Sequence, residues 1–600
     1  MSGFPDWAEF TPERVVERLP RLLADAEREV AAIEASSPAD YEGFVWALDD
    51  ATRELHRCWG MLGHMMGVMN SDAWRKVQED FQPQVVTFML RVSQSPKLYS
   101  IAKSLCASAT GIRRRILDRM VQEAELAGVA LEGEKKLRFN EIQMSLARLA
   151  SDFHNAVIDA TTPEISDANY PETMKHDPDR AKRERLYRLR VARAPENQRR
   201  IDEILALRRE MAALLGFGDY AELSLAMKCA PSSRAVFDMI DRLDVATAAK
   251  AEAEKLDGEP WDLAYLAERI REERYAYSED ELKRYFEFEA VLAGLWRMVK
   301  FLFDVEVREV TGDAKPSVWH ADVRFFEIVE RGETIAHFYV DPYVRTGLKG
   351  GGAWMNEFRN RSVRGNRRDL PLATLVLNLP LPDADGRCLM PFREVETLFH
   401  EFGHALQCCL TRVDEEDAAG VNLVEWDAVE VASQFMENWC LDDRTGISVP
   451  PELKAKVRAA KNYRAATACR RQLAFAKTDM LLHSAGFSGD ADKLKREVFV
   501  HFGLPMIAED RFLCAFSHIF AGGYAAGYYG YKWAEVMSAD CYGAFEEAGL
   551  GNDAAMRELG RRYRETVLAL GGGESALEVF RRFRGRDPEI SSLLRQQDLS

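Results

Sequence analysis

The feature that most limits how this chain can fold is a hexapeptide at residues 399–404, which reads Phe-His-Glu-Phe-Gly-His. The run around it has helical periodicity, so His400 and His404 are expected about one turn apart on the same helix face. Their imidazole nitrogens can then bind one small cation, and Zn²⁺ is the usual one. Glu401 can reach the open position of such a metal, where it would act as general base on a bound water.

This motif is too specific to be an accident of composition. Histidine is rare, with 11 in 600 residues, and H-E-x-x-H is expected by chance only about 0.02 times in such a chain if Glu is taken at roughly one in ten. The alternative is a pair of hydrogen-bonded core histidines, and the position of Glu401 argues against it. The apolar residues of the run share one helix face, away from both histidines: Val395, Leu398, Phe399, Phe402, Ala405, Leu406 and Cys409.

Charge and composition exclude several classes of partner. The net charge is -17 and the pI about 5.4, which opposes binding to nucleic acid or to an anionic membrane surface. No apolar run approaches membrane-spanning length, and the first residues resemble neither a secretory signal nor an organellar transit peptide. The 10 cysteines are scattered, with no Cys-x-x-Cys pair for a second, structural zinc. We expect a protein of the reducing cytoplasm.

Helical periodicity runs through most of the chain. Residues 1–160 read as successive helices, the first with Thr11 as N-cap and Pro12 at the first helical position. Residues 161–179 are polar and contain three prolines, which favours a linker or a surface loop. Amphipathic helices resume at residue 180 and continue to about residue 302.

A small β-sheet interrupts the helices before the histidine motif. Residues 323–330 and 334–340 flank a turn at 331–333, which is the pattern of a β-hairpin. Residues 374–379 read as a further strand. The glycines at 350–352 lack the Lys-Ser/Thr ending of a phosphate-binding loop and favour a mobile turn. The expected fold class is therefore mainly α, with a small sheet beside the metal helix.

A catalytic zinc has three protein ligands and one open position, so a third residue must join the two histidines. Glu430 is preferred because it falls in a predicted helix over 426–439, and an antiparallel return of that helix would bring it to the metal. Asp427 and Glu437 lie about one and two turns away and could accept hydrogen bonds from the second imidazole nitrogens. An ordinary surface position is the alternative for each carboxylate. The other downstream candidates are Glu415, Glu416, Glu425 and Glu437, of which the first two lie in an acidic turn too soon after the histidine helix for the chain to return to the metal.

A tyrosine-rich segment, residues 516–533, is the other informative stretch. Tyr524, Tyr528 and Tyr531 are spaced i, i+4, i+7, so they are expected on one face of a helix. Phenols that share one face suit donation to an oxyanion better than core packing, because each buried hydroxyl needs a partner. His518 precedes two glycines that would allow a hinge. The alternative is a structural role for the tyrosines at a buried helix end.

These motifs resemble the thimet oligopeptidase family of zinc metallopeptidases, most closely its bacterial oligopeptidase A branch. The resemblance covers nearly the whole chain and is most specific in the later motifs. It is carried by residues 59–70, 204–208, 214–217, 351–355, 398–404, 426–430, 433–439, 516–533 and 580–586.

The resemblance implies a mostly helical, two-lobed fold around a deep central channel, with zinc on the channel floor. Residues 1–160 would form one channel wall, and 161–179 a linker or surface loop. Residues 180–600 would be the catalytic region, with the zinc core at 391–440. Its site residues would be one Zn²⁺ on His400, His404 and Glu430, the base Glu401, and the substrate and transition-state groups His518, Tyr524, Tyr528 and Tyr531.

The expected function is that of a zinc endopeptidase that hydrolyses short oligopeptides by a Glu-assisted, metal-bound water. Tyr531 or Tyr524, assisted by His518, would stabilise the oxyanion, and Tyr528 would contact substrate. A monomer is expected. Two alternatives remain: a peptidyl-dipeptidase of the same family, which would require a free C-terminal carboxylate, and a peptide-binding scaffold with a dead site. Glu401 argues against the scaffold, because a binder has no use for a base beside an open metal position.

Overall fold

A computed structural model describes residues 3–166, 169–275, 279–345 and 347–599, and it is mostly helical. The α-helices of this described part are α1 Pro12–Ser36, α2 Ala47–Val68, α3 Asp72–Ser93, α4 Pro96–Cys106, α5 Gly111–Leu126, α6 Gly133–Asp159, α7 Asn169–His176, α8 Arg180–Val191, α9 Asn197–Leu214, α10 Tyr220–Leu225, α11 Ser233–Ala253, α12 Leu263–Tyr275, α13 Glu279–Leu282, α14 Phe288–Phe303, α15 Phe392–Cys409, α16 Val431–Glu437, α17 Pro451–Lys461, α18 Ala465–His483, α19 Ala491–His501, α20 Ser517–Phe520, α21 Gly530–Ala548, α22 Asp553–Tyr563, α23 Ala576–Arg584 and α24 Ser591–Gln596. The strands are β1 Glu306–Glu309, β2 Arg324–Glu330, β3 Glu333–Tyr343, β4 Trp354–Arg359, β5 Ser362–Arg364, β6 Arg367–Asp369 and β7 Leu372–Leu379.

The first helix begins where the sequence predicts. The Thr11 hydroxyl accepts a hydrogen bond from the Arg14 amide at 3.5 Å, and Pro12 occupies the first helical position. Pro20 does not divide the helix, which continues to Ser36. One face is buried through Val15, Leu19, Leu23, Ala26, Val30 and Ile33.

The predicted sheet forms, and it has five strands in the order β1-β2-β3-β7-β4. β2 and β3 form the expected hairpin, and its turn places Arg331 and Gly332 at positive φ of 51° and 87°, as a tight hairpin turn requires. β3 pairs with β7 in parallel, and β4 pairs with β7 as an antiparallel edge strand. Helix α15 packs against β7 and β4, so the sheet supports the histidine helix as the sequence predicts.

The sheet also separates two hydrophobic clusters. On β2, Phe325 joins the cluster built from the N-terminal helices, whereas Phe326 joins a central cluster that contains α14, α15 and α16. This follows from strand geometry, because successive side chains point to opposite faces. A third cluster joins α9, α11, α18 and the tyrosine segment. The predicted mainly helical fold with a small sheet is confirmed, and β5 and β6 form a separate two-stranded sheet.

Two segments differ from the sequence interpretation. Residues 161–179 contain α7, which packs against α12. Part of the segment is therefore a packed helix and not a loop. The glycines at 350–352 are tied to the sheet, since Asn378 Nδ2 donates to the carbonyl oxygens of Gly350 and Gly352 at 2.7 and 2.6 Å. The preceding Lys349 is buried and donates to Asp341 Oδ1 at 2.9 Å. These anchors restrain a turn that the sequence suggested was mobile. Within the described ranges, each helix is too short or too polar to cross a bilayer.

Candidate metal centre and tyrosine segment

Helix α15 presents the two histidines as the motif predicts. Its apolar face is fully buried through residues such as Phe399 and Phe402, and this burial fixes the rotation of the helix. The rings of His400 and His404 lie 5.2 Å apart between centroids. Glu401 is 7% exposed, and the backbone amide of Met355 on edge strand β4 helps to stabilise its carboxylate. The general-base candidate is therefore held beside the histidines and is almost buried.

The third carboxylate reaches the histidines by a different backbone path from the one predicted. The single helix expected over 426–439 is wrong, because the chain forms a 3₁₀ turn at Trp426–Ala428 and then α16 from Val431. Glu430 immediately precedes α16 and does not lie inside a helix. Its Oε2 atom nevertheless lies 3.2 Å from Nε2 of both His400 and His404. Ser433 Oγ donates to the same oxygen at 2.8 Å and fixes its orientation.

The donor set fits a divalent metal. One ligand atom from each of His400, His404 and Glu430 lies within 4.8 Å of the other two. Two imidazoles and one carboxylate are a known catalytic zinc set with an open fourth position. The side chains are 25%, 11% and 30% exposed respectively, so the group opens to solvent on one side, where a substrate or water can enter.

Another group of suitable residue types lies on α7 and α12, and its surroundings differ. His176, Glu268 and Glu272 bring ligand atoms within 4.8 Å of one another. However, Arg271 already binds Glu268 at 3.0 Å, and Arg269 lies 2.9 Å from Glu272. Because two guanidinium groups neutralise these carboxylates, the group does not resemble a metal site as closely as the one on α15.

The glycine inside the motif permits the close approach of α15 and α16. A Cβ atom on Gly403 would lie 2.5 Å from the carbonyl oxygen of Ala432 and 2.6 Å from Cα of Ser433. Both distances are far inside van der Waals contact. Only glycine therefore allows the chain just after Glu430 to pass this close to the histidine helix, and the motif reading alone gave this residue no role.

The two carboxylates predicted to support the histidines are placed differently. Glu437 Oε1 lies 2.7 Å from His400 Nδ1, which orients the ring for metal binding through Nε2. Asp427 is not brought to either histidine by the hydrogen bonds of the described chain. Its carboxylate accepts from the amides of Cys229 and Ala230 at 2.7 and 3.0 Å and from the Tyr529 hydroxyl at 2.7 Å.

Electrostatics at the centre follow from burial and charge proximity. Burial opposes a charge on His400, but hydrogen bonds to Glu430 and Glu437 raise its pKa to about 10. Burial likewise opposes ionisation of Glu430, yet the two histidines hold its pKa well below the ordinary value. Burial raises the pKa of Glu401, and the histidines only partly offset that effect. The site therefore favours positive charge between the donors.

The tyrosines do not share a helix face, and that prediction is wrong. Residues 521–529 form turns, and Tyr531 lies in the first turn of α21. The three phenols still gather, because the Tyr524 and Tyr531 rings stack at 5.2 Å and Tyr528 lies 5.3 Å from Tyr531. The ring of His518 lies 5.8 Å from that of Tyr524 and 6.5 Å from that of Tyr531.

Within this cluster the phenols have different surroundings. Tyr528 is 8% exposed and donates to Gln472 Oε1 at 2.9 Å. Tyr531 is only partly buried. Burial raises its pKa, and the hydroxyl of Tyr524 and the nearby charge of Glu430 raise it further. Tyr531 therefore stays protonated near neutral pH, so its hydroxyl can act as a hydrogen-bond donor.

Comparison with known proteins agrees with this architecture. A family model described as peptidase family M3 matches residues 173–599, and one described as the neurolysin/thimet oligopeptidase N-terminal domain matches residues 19–136. An organellar oligopeptidase A of Arabidopsis thaliana is 38% identical over 99% of this chain and 86% of its own. Oligopeptidase A of Haemophilus influenzae is 34% identical over 100% of this chain and 98% of its own. The solved structure of PZ peptidase A with an inhibitor has a TM-score of 0.54 at 14% identity, over 98% of this chain and 97% of its own. The protein therefore belongs to peptidase family M3.

Proposed function

We propose that this protein is a zinc-dependent endopeptidase that hydrolyses peptide bonds within short oligopeptides. One observation carries the proposal: the ligand atoms of His400, His404 and Glu430 converge, and Glu401 is almost buried beside them without being one of the three. A metal site that only stabilised the fold would have four protein ligands. It would have no need of a carboxylate next to an open position.

The chain's own residues can perform the steps of peptide hydrolysis. A bound zinc would lower the pKa of a water molecule and polarise the scissile carbonyl. Glu401 takes a proton from the attacking water and returns it to the departing amine. The Tyr531 hydroxyl donates to the carbonyl oxygen as negative charge develops there, with Tyr524 and His518 beside it. Each proton is thus taken up and released by a group of this chain.

The test compares wild type with Glu401→Gln on a short peptide blocked at both ends, with products identified by mass spectrometry. Glu394→Gln is the matched control, because Glu394 lies in the first turn of the same helix and outside the donor set. Zinc content is measured for all three proteins. We expect internal cuts by wild type and Glu394→Gln, no cuts by Glu401→Gln, and equal zinc in each.

Other outcomes select the alternatives. Dipeptide release that appears only when the C-terminus is free would identify a peptidyl-dipeptidase. No cleavage by zinc-loaded wild type on either peptide would leave a peptide-binding scaffold. Normal turnover by zinc-loaded Glu401→Gln would refute the role given to this carboxylate.

We propose further that the working protein is a monomer with one Zn²⁺ in a reducing compartment such as the cytoplasm. All 10 cysteines are buried and free, which suits a compartment where thiols stay reduced. The preference for short peptides rests on membership of the M3 family and the oligopeptidase A relatives. Cleavage of a folded protein as fast as a short peptide would contradict it.

A further inference from the structure

A buried aspartate holds the backbone of the tyrosine segment. Asp479, on α18, is fully buried. Its Oδ1 accepts from the Ala526 amide at 2.9 Å, and its Oδ2 accepts from the amides of Gly527 and Tyr528 at 2.9 and 3.0 Å. Three successive backbone donors therefore converge on one carboxylate, and hydrogen bonds to an ionised acceptor are stronger than neutral ones.

The backbone at this point has an unusual conformation. Ala526 has φ of 46°, a left-handed conformation that alanine rarely adopts. A left-handed residue within a turn turns successive amides towards one point, which makes a small anion-binding concavity. The carboxylate of Asp479 fills this concavity and offsets the strain that the alanine carries.

Asp479 is itself held by two further side chains. His483 Nδ1 lies 3.0 Å from Asp479 Oδ1, and Arg208 Nη1 lies 2.9 Å from His483 Nε2. A guanidinium group can only donate, so Nε2 must accept and the ring hydrogen must be on Nδ1, where it is donated to the backbone carbonyl oxygen of Asp479 at 2.9 Å. The chain of contacts runs from α9 through α18 to the turn at 526–528. The imidazole ring is thereby held 3.0 Å from Asp479 Oδ1, and the carboxylate itself is fixed by the three backbone amides.

The turn lies between the phenols assigned to the reaction. Tyr524 precedes it and Tyr531 follows it by three residues. The next residue after the turn, Tyr529, donates to Asp427 at 2.7 Å, and Asp427 lies three residues before the metal-ligand candidate Glu430. The segment is therefore fixed at two successive places. Asp479 holds the 526–528 turn to α18, and Asp427 holds Tyr529 to the stretch that leads into Glu430.

We propose that Asp479 is a positioning residue, which holds the 526–528 turn so that the Tyr531 hydroxyl faces the metal-ligand group. It acts through the backbone amides and does not touch substrate. The proposal rests on the proposed peptidase function for its effect on rate, but its structural part stands on hydrogen bonds alone.

The kinetic test is Asp479→Asn. The amide side chain keeps the size but loses the charge, and it turns a donor towards amides that need an acceptor. We expect kcat to fall about tenfold or more, with KM changed by less than about threefold and zinc content unchanged, because a mispositioned oxyanion donor affects the transition state. In a Tyr531→Phe background the same change should cost less than about twofold. Additive losses would overturn the proposal.

A second measurement does not depend on activity. Hydrogen exchange of the peptide that contains residues 524–531 should quicken in Asp479→Asn. The matched control is Asp540→Asn, another fully buried aspartate, which lies in the middle of α21 and accepts from the Glu589 amide at 2.9 Å. In Asp540→Asn, hydrogen exchange of residues 524–531 should remain as in wild type. Unchanged exchange in Asp479→Asn, or equal acceleration in both variants, would overturn the proposal.

If Asp479→Asn does not fold, variants of His483 provide the same test. His483→Ala removes the ring that donates to the Asp479 carbonyl oxygen and lies 3.0 Å from Asp479 Oδ1, and His483→Asn restores a polar group near the position of Nδ1. We expect kcat to fall in the first and to recover in the second, with exchange at 524–531 following the same order. Equal behaviour of the two variants would contradict the proposal. If wild type cleaves no peptide at all, the proposed function fails, and the exchange experiment still decides whether Asp479 orders the turn.

Discussion

Replacing Gly403 with alanine should weaken zinc binding more than it weakens the fold. The new Cβ would lie 2.5 Å from the Ala432 carbonyl oxygen, whereas ordinary contact begins at 3.4 Å. One of the two helices must therefore move by about 0.9 Å. Ala432 lies in the first turn of α16, two residues after Glu430, so the displacement is passed to the carboxylate proposed as a metal ligand.

The size of this displacement sets the expected effect. Metal sites tolerate errors of only about 0.2 Å in ligand distance, and the required shift is several times larger. We expect zinc affinity to fall by about tenfold to hundredfold, as when a supporting contact of a ligand is lost. The fold should lose only about 0–2 kcal/mol, because an overpacking cost of about 1–3 kcal/mol is partly offset by the better helix propensity of alanine, about 1 kcal/mol.

The assay is competition with a chelator of known zinc affinity, together with the thermal unfolding midpoint. Two controls separate the effects. Gly63→Ala places a methyl group in open space on α2 and should change neither quantity adversely. Gly560→Ala on α22 places one 2.3 Å from the carbonyl oxygen of Leu302 on α14, which should lower the midpoint without changing zinc affinity. If Gly403→Ala binds zinc like wild type while Gly560→Ala is destabilised as expected, that result refutes the idea that the close approach of α15 and α16 sets the geometry of the metal ligands.

Three further outcomes are expected. Glu437→Gln should weaken zinc binding by about tenfold to hundredfold in the same competition assay, because it weakens the contact that orients His400. Tyr531→Phe should lower kcat by about 10²–10³ in steady-state peptide hydrolysis while zinc content stays constant, because it removes one oxyanion donor. Lys349→Met should lower the unfolding midpoint by calorimetry, with a loss of about 3 kcal/mol, because it removes one fully buried partner of Asp341. A kcat for Tyr531→Phe near wild type, or an unchanged midpoint for Lys349→Met, would contradict the corresponding contact.

The parts of the fold that the sequence predicts are those with strong local periodicity. In β2, β3 and β7, apolar residues either alternate with polar ones or follow one another without a break. Turn residues bound these segments, so each can be recognised from its own sequence. Strands β1 and β4 were missed because their signal is weak. β1 has four residues, two of them exposed, and β4 is intermediate in burial at five of its six positions. Both are strands because β2 and β7 offer them hydrogen-bonding partners, and that information is not local.

The same distinction explains which site residues were placed correctly along the backbone. His400 and His404 lie one turn apart in an uninterrupted helix, so spacing alone places them together. The i, i+4, i+7 spacing of the tyrosines favours a helix. Two glycines and a pair of alanines lie between them, however, and the glycines lower the helix propensity of this segment. The turn that forms instead depends on Asp479, which precedes Ala526 by 47 residues.

The 3₁₀ turn before Glu430 has a similar cause, because Asp427 binds an amide 198 residues away. Its carboxylate was expected to face a histidine because a regular helix would have carried it there. The Asp427 carboxylate instead accepts hydrogen bonds from distant backbone amides. The resulting break in the helix leaves Glu430 just before α16, where the Glu430 carboxylate reaches both imidazoles. Local periodicity thus predicts residues whose ligand atoms converge, while buried carboxylates at long sequence distance determine the backbone that carries them. Single substitutions at Asp427 and Asp479 should therefore disturb the site more than their absence from the zinc motif suggests.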